Sequence, residues 1–397
     1  MAYIVNQIDT IVNDAVSDAL GLASTAAAET LTTSDYVSFG EQLSAANAYD
    51  GFFGSLVNRL VKTVFFVRSY EGSSRRILRD EHAYGAFVQK VVYEMPDAVE
   101  NPAWDIPTSG GAYTQASPYD VNTTLSVSAT VYGGQGTWAV EVVRPMVQVK
   151  TAFVGPAEMA AFIDGIYVTI ENAIKMQEEA VEASAANTAI ASAVNGGLVR
   201  NLVTEYNTIH SLTGAAALTA TTALHDADFL AYAAMEINRL VPRFAKMSTM
   251  FNVRGHETFT DKEYLVVELH SAFDAALTTY LKANTFHEEL IKLPGYATVP
   301  YWQYGGVKGG GATDLAQTMK IDVINDAFVS SGNATGTISQ GNIICFMHDV
   351  ENVAAYFGER RSWEHYNPRS DVMVHGETGR KGFAVDEHAN AMVFLLA

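Results

Sequence analysis

The chain has 397 residues and a formal net charge of −19, with 48% hydrophobic and 17% charged residues. That is a globular composition, long enough for two or three domains, and its acidity argues against nucleic acid as a partner of the whole surface. The single cysteine, Cys345, excludes an internal disulfide and points to folding in a reducing compartment; no apolar run reaches the roughly 18 residues of a membrane helix.

Residues 1–50 carry weak helical patterning at Ile4, Ile8, Ile11, Val12 and Val16, which reads as an arm with short helices. Met1 to Thr33 lacks the basic-then-apolar order of a secretory signal. From Gly51 to Arg68, Phe52, Phe53, Leu56, Val57, Leu60, Val61, Val64, Phe65 and Phe66 predict a strongly apolar helix, or a helix then a strand, in need of a partner surface. Arg68, Arg75, Arg76 and Arg79 follow beside Asp80 and Glu81. This main basic concentration of an acidic chain reads as a salt-bridged turn or as a contact to acidic neighbouring subunits.

The period then changes. Phe87 to Tyr93 suggests a strand, and Pro96 to Pro118 is turn-rich. Leu125, Val127, Ala129 and Val131 alternate with Thr124, Ser126, Ser128 and Thr130, as a half-exposed strand does. Trp138, Val140, Val142, Val147 and Val149 alternate again after a turn at Tyr132 to Gly136. Together these predict a long two-stranded hairpin with its tip at Gly133–Gly136. A lone hairpin is marginal in water, which suits an arm lying on another molecule.

Pro156 to Val194 predicts one very long helix. Pro156 fits the first helical position; Met159, Phe162, Ile163, Ile166, Tyr167, Ile170, Ile174 and Val181 recur at helical spacing; Glu171, Lys175, Glu178, Glu179 and Glu182 form a charged face; Asn195-Gly196-Gly197 is a stop signal. At 1.5 Å per residue it spans about 58 Å. Its apolar stripe is too irregular for heptads, so it reads as a spine.

Leu198 to Tyr206 continues as strand or helix, and Ser211 to Ala223 reads as a loop. Asp226 caps a second helix to Lys246, with Pro242 in its last turn. Tyr264 to Leu269 and Ile343 to Met347 have the texture of buried strands, and Ser271 begins a helix to about Asn284. Met319 to Ile324 is a strand, and 330–341 a loop. Asp349 is read as capping a short helix through Val353, Ala354, Tyr356 and Phe357, ended by Glu359-Arg360-Arg361. Ala391 to Leu396 is a closing strand that must be paired.

Chemistry is sparse. Gly305-Gly306-Val307-Lys308-Gly309-Gly310-Gly311 lacks the order of a phosphate-binding loop. His287-Glu288-Glu289 lacks a second histidine at metal spacing; His348-Asp349 and Asp386-Glu387-His388 have no partner cluster. Cys345 has the apolar flanks of an inert thiol. No catalytic, cofactor or metal residues are assigned.

The order of parts carries a resemblance: Ala86–Val149 as an extended loop, Pro156–Val194 as a spine, Asp226–Met347 as an axial lobe and Ala391–Leu396 as the returning strand. It resembles the HK97-like major capsid proteins of tailed bacteriophages, a shell fold shared with encapsulins. The resemblance implies an α+β, HK97-like fold with an N-terminal arm (1–70), an extended β-hairpin loop (71–150), a peripheral domain with the spine (151–200), an axial α/β lobe (201–348) and a return to the peripheral sheet (349–397). It implies a non-enzymatic subunit of hexamers and pentamers in an icosahedral virion shell, assembled in the bacterial cytoplasm around double-stranded DNA without sequence-specific contact or membrane. Portal, decoration and separate scaffold proteins are the implied partners, the scaffold because no removable scaffolding segment is recognised at the N-terminus. Inter-subunit contacts are expected at Arg75, Arg76, Arg79, Gly133, Gly134, Trp138, Arg360 and Arg361. The alternatives are an encapsulin-like compartment, and a soluble α+β enzyme with a site in 286–311 around His287, Tyr301 and Trp302.

Overall fold

A computed structural model describes residues 5–20, 33–46, 48, 51–52, 78–79, 87–95, 127–133, 136–145, 156–282, 295–303, 318–324 and 336–397. In chain order these form α1 (Val5–Leu20), α2 (Thr33–Ala46), β1 (Leu78–Arg79), β2 (Phe87–Tyr93), β3 (Val127–Gly133), β4 (Gly136–Pro145) and α3 (Pro156–Asn195). Then come β5 (Val199–Asn201), α4 (Leu202–Ile209), α5 (Ala220–Ala223), α6 (Ala227–Phe244), β6 (Leu265–His270), α7 (Ser271–Ala276) and β7 (Tyr296–Val299). The chain closes with β8 (Ile321–Ile324), β9 (Thr337–Gln340), β10 (Ile343–Asp349), β11 (Val353–Asn367), β12 (Val372–Val385) and β13 (Ala391–Leu395).

The long helix α3 has 40 residues and ends where its glycines predict. Gly197 takes φ 77. Its N–H donates to Val194 O at 3.1 Å, and the Leu198 N–H reaches back to Ala193 O at 2.8 Å, which satisfies carbonyls the helix would otherwise orphan. Two different surfaces cover this helix. Ile170 and Ile174 pack with Trp138, Val140, Val142 and Phe357 on one sheet, of order β1-β11-β12-β4. Further along, Val181, Ala185, Ala186, Ala189, Ile190 and Ala193 pack with Ile343, Phe346, Val393 and Leu395 on a second sheet, of order β5-β13-β10-β6-β7. Alanine suits this half because it favours helix and lets a sheet approach closely.

The second sheet is covered on its other face as well. Phe229, Leu230, Ala233, Ile237, Leu240 and Phe244 of α6, with Leu202 and Val203 of α4, bury Cys345, Met347, Leu269 and Phe394. Burial on both faces explains the unbroken apolar run of β10. Asp226 accepts from Phe229 N at 2.8 Å and caps α6, which runs through Pro242 to Phe244. Burial pushes the Cys345 thiol up, so it stays protonated and serves as packing.

Three expectations are corrected. The hairpin read at 124–149 is not one unit: β3 pairs antiparallel with β2, from Phe87↔Gly133 to Tyr93↔Val127, whereas β4 pairs with β12. Alternation fixes which face a side chain takes, but not the partner strand. The helix read after Asp349 is instead the 15-residue strand β11. A five-residue apolar cluster cannot tell the two periods apart, and pairing with β12 decides for the strand. The loop read at 330–341 contains β9. Residues 349–397 contribute to both sheets: β11 and β12 lie beside β4, and β13 pairs with β10 and β5 in the second sheet. The helix from Ser271 widens from α7 into a π turn at Leu277–Lys282. The apolar stretch expected beyond Phe52, and the glycine loop at 305–311, lie outside the described residues.

Candidate functional site

The most constrained place in the first sheet is a break in its pairing. β11 and β12 are antiparallel from Val353↔Val385 to Asn367↔Val372, but the register steps between Gly358↔Arg380 and Arg361↔Thr378. Glu359 and Arg360 therefore stand opposite Gly379 alone, a β-bulge. Glu359 takes φ 51, a left-handed conformation uncommon outside glycine.

The extra residue turns Arg360 onto the face toward α3. Its Nη2 donates to Glu171 Oε1 on α3 at 2.8 Å, and its Nε donates to Glu377 on β12. Glu377 and His375 are both buried. His375 lies 3.4 Å from Glu364 and 3.9 Å from Glu377. Burial opposes charge on His375, but attraction from Glu364 and Glu377 outweighs it and raises its pKa. Burial likewise opposes charge on Glu377, yet His375 and Arg360 hold its carboxyl below the usual range. The result is a largely buried alternation of charges that ties the helix to the sheet.

Two tryptophans complete the local packing. Trp138 on β4 stands across from Gly379 on β12 and stacks on Phe357, with centroids 4.9 Å apart and planes 12° from parallel. A Cβ at Gly379 would meet the Trp138 ring at 2.5 Å. On the outer face, Trp363 lies across Gly376 in the same way, where a Cβ would meet its ring at 2.2 Å. Also on the outer face, Glu359 accepts from Arg361 at 2.8 Å and from Arg380. On the inner face, Lys381 donates to Gln177 of α3 at 3.4 Å.

Over residues 12–395 the sequence matches the family of Phi29-like phage major capsid proteins. The chain belongs to this family. As a member it is a structural subunit of the phage capsid, located in the virion shell, and its architecture mixes helix and sheet, as the resemblance implied.

Solved structures with similar chains include the capsid of Staphylococcus phage Andhra, at 11% identity and TM-score 0.48, covering 83% of this chain and 86% of that one. A second, described as the head fiber and inner core protein gp22 of native bacteriophage P68, has 12% identity and TM-score 0.49 over 82% of this chain and 85% of that one. A third, from Microbacterium phage Oxtober96, has 10% identity and TM-score 0.44 over 84% and 98%. No curated protein sequence matches the chain.

The residues expected at subunit contacts fall in different places of this capsid protein. Trp138 is 4% exposed and faces α3; Arg360 spends its guanidinium inside the chain. Arg361 is on the outer face with its side chain 73% exposed. Arg79 is in β1, paired parallel with Tyr356 of β11, and Gly133 ends β3. Arg75, Arg76 and Gly134 lie outside the described residues, as does His287. Trp302 is fully buried and its Nε1–H donates to Ile343 O at 2.8 Å, so it is a core residue. Glu364, His375 and Glu377 were missed by the sequence reading, which placed Glu171 only on a charged helix face and Glu359 only at a helix end. The parity of β11 and β12, once paired, brings the strand residues together, and the packing of α3 on the sheet adds Glu171.

Proposed function

We propose that this capsid subunit assembles with copies of itself into hexamers and pentamers of an icosahedral shell around double-stranded DNA, in the bacterial cytoplasm. The observation that carries this reading is the family match across residues 12–395. The charge of −19 supports it: an acidic wall does not bind packaged DNA tightly, so the genome is enclosed without sequence-specific contact. Closed rings of identical subunits use many repeated contacts, and the subunit works through those contacts rather than through catalysis or a cofactor. A separate scaffold, a portal and decoration proteins complete the particle.

On this reading 1–70 is the arm, 71–150 the extended loop, 151–200 the peripheral spine segment, 201–348 the axial lobe and 349–397 the return. Arg75, Arg76, Arg79, Gly133, Gly134 and Arg361 make contacts between subunits. Trp138 and Arg360 act from inside, by holding the first sheet against α3 so that those contacts are presented at one angle. The test is expression of the full chain followed by sedimentation and negative-stain microscopy, with and without charge reversal at Arg75, Arg76 and Arg79. Megadalton closed particles from the unmodified chain, lost in the reversal variant while the subunit stays folded, are expected. A small monodisperse oligomer with enzymatic turnover would sink the reading.

A further inference from the structure

Between α6 and β6 the chain folds back on itself and shows apolar side chains to water although its backbone is tied down. Ser248 and Thr258 exchange both backbone hydrogen bonds, at 3.0 and 3.3 Å. That sets Met247 opposite Phe259, with both side chains on one face. The rest of the excursion is pinned to the core. Phe251 is buried and stacks on Phe244 with centroids 4.6 Å apart, and its carbonyl accepts from Ala391 N at 2.7 Å. Buried Asn252 accepts from His256 N at 2.7 Å and donates to His256 O at 2.5 Å. Buried Thr260 donates its N–H to Phe244 O at 2.7 Å and its hydroxyl to Asp349 at 2.6 Å. Yet Met247, Met250 and Phe259 are 50%, 73% and 48% exposed. A held platform that presents apolar groups outward has the character of an interaction site.

The charges around it are sorted. Arg243, in the last turn of α6, and Lys246 just beyond it are exposed, and among the described residues neither side chain has an ion-pair partner. Arg239, one turn earlier, is already tied to Glu236 at 3.0 Å. The return segment carries Glu257, Asp261 and Glu263 instead. Cations suit the last turn of a helix for its dipole alone, but the dipole does not account for the uncovered apolar pair beside them. We propose that Met247, Met250 and Phe259, with Arg243 and Lys246, form a docking surface for an acidic amphipathic helix of another protein. Apolar anchors one turn apart would lie on the methionines and the phenylalanine, and methionine adapts to the shape of what it meets. Carboxylates along one edge of that helix would pair with Arg243 and Lys246 and be turned away by the acidic return segment, which fixes its orientation. This chain's own most acidic helices are spent. α1 turns Val12, Ala15 and Val16 inward, and α3 turns Ile170, Ile174 and Val181 inward. A DNA duplex would use the two cations and leave the apolar groups without a role. The proposal needs only a folded subunit, so it stands apart from the shell reading.

The test titrates the full chain by fluorescence anisotropy against a labelled synthetic peptide of about 20 residues, long enough to hold a helix. It carries leucine at helical spacing with glutamate and alanine between. The controls are the same peptide with lysine for glutamate, and a DNA duplex. The acidic peptide is expected to bind, and the lysine peptide to bind about tenfold more weakly or worse. Met247→Ser with Phe259→Ser is expected to weaken the acidic peptide by about the same factor while the thermal midpoint of the subunit stays in place. Met250→Glu, at the most exposed of the three positions, is expected to weaken it without any effect on folding. Arg243→Glu with Lys246→Glu is expected to reverse the preference between the two peptides. Equal binding of both peptides, or binding indifferent to the apolar variants, would overturn the proposal. So would duplex binding through Arg243 and Lys246 with no peptide binding, which would assign the cations to phosphate. Loss of closed particles in the apolar variants with peptide binding unchanged would give the face to a second copy and overturn it as well.

Discussion

Arg360 and Glu171 are 189 positions apart in the chain and meet at 2.8 Å. The contact exists because the bulge at Glu359 turns Arg360 toward α3, and because Glu377 on β12 takes the other side of the same guanidinium. One side chain thus joins the long helix to two strands. Replacing it with methionine keeps most of its packing volume but leaves Glu377, which is 2% exposed, without its cation. Breaking a buried pair on one side costs about 3–5 kcal/mol, so Arg360→Met is expected to lower the unfolding free energy of the subunit, read by urea titration, by that order. Glu171→Gln keeps a hydrogen-bond acceptor and is expected to cost less than half as much. Equal losses for the two variants would show that Glu377 is not the dependent partner.

The same site makes stability depend on pH in one direction, and His270 makes it depend in the other. His375 has a raised pKa in the fold. Its contribution is full below the unfolded value of about 6.5 and is lost as pH rises through the folded value. His270 is buried against water, and its pKa is lowered to about 4 although backbone hydrogen bonds with Thr318 and Pro300 oppose the change. The unfolded chain therefore takes up a proton below about 6.5 that the fold refuses, and stability falls as pH drops from there toward 4. The full effect is on the order of 3 kcal/mol. His270 Nδ1 accepts from Ala272 N at the start of α7, so His270→Asn keeps a cap acceptor while removing the titration. Urea unfolding between pH 4 and 8 is expected to show a flatter acid limb in His270→Asn and a flatter alkaline limb in His375→Gln. Unchanged limbs in both would refute the assignment.

What was legible in the sequence followed from local rules. Pro156 and Asn195-Gly196-Gly197 bracket α3 because a helix end needs specific backbone chemistry, and Asp226 caps α6 for the same reason. The uninterrupted apolar text of β10 and β13 announced strands covered on both sides. What was not legible was non-local. Val127–Gly133 and Gly136–Pro145 were recognised as strands, but their partners, β2 and β12, lie far away in the chain. Val353–Asn367 carries a bulge that breaks alternation midway, so its period could not be read from either half. The charged site depends on that bulge, and no spacing motif connects Glu171, Arg360 and Glu377. Arg75 and Arg76 of the basic segment are not among the described residues.

Gly379 and Gly376 are required by the tryptophans that cross them. Alanine at either position would put a Cβ at 2.5 Å or 2.2 Å from a ring that cannot bend away. Overpacking of this kind typically costs about 1–3 kcal/mol. Gly379→Ala is expected to lower stability by that order and to shift Trp138 off Phe357, seen as a change in tryptophan fluorescence. Gly376→Ala is expected to act on the more exposed Trp363. Gly341 has nothing within 4 Å of a built Cβ, so Gly341→Ala serves as the control and is expected to be neutral. Losses as large at Gly341 as at Gly379 would point to backbone freedom, not the ring, as the cause.

Glu359 offers the opposite case, a residue the fold would hold more easily as glycine. At φ 51 it occupies a region that costs an L-residue roughly 1–2 kcal/mol, and a bulge of this form often places glycine there. Its carboxylate does bind Arg361 and Arg380, but both arginines are more than half exposed, and exposed pairs contribute little. Glycine adds entropy to the unfolded chain, which offsets part of the relief. Glu359→Gly is therefore expected to be neutral to stabilising by about 1 kcal/mol in urea unfolding of the subunit, while Glu359→Val, whose branched Cβ tolerates this conformation worst, is expected to destabilise. The pair also separates backbone from charge. Both variants lose the carboxylate, so if both destabilise equally, the ion pairs on the outer face matter more than the strain at the bulge.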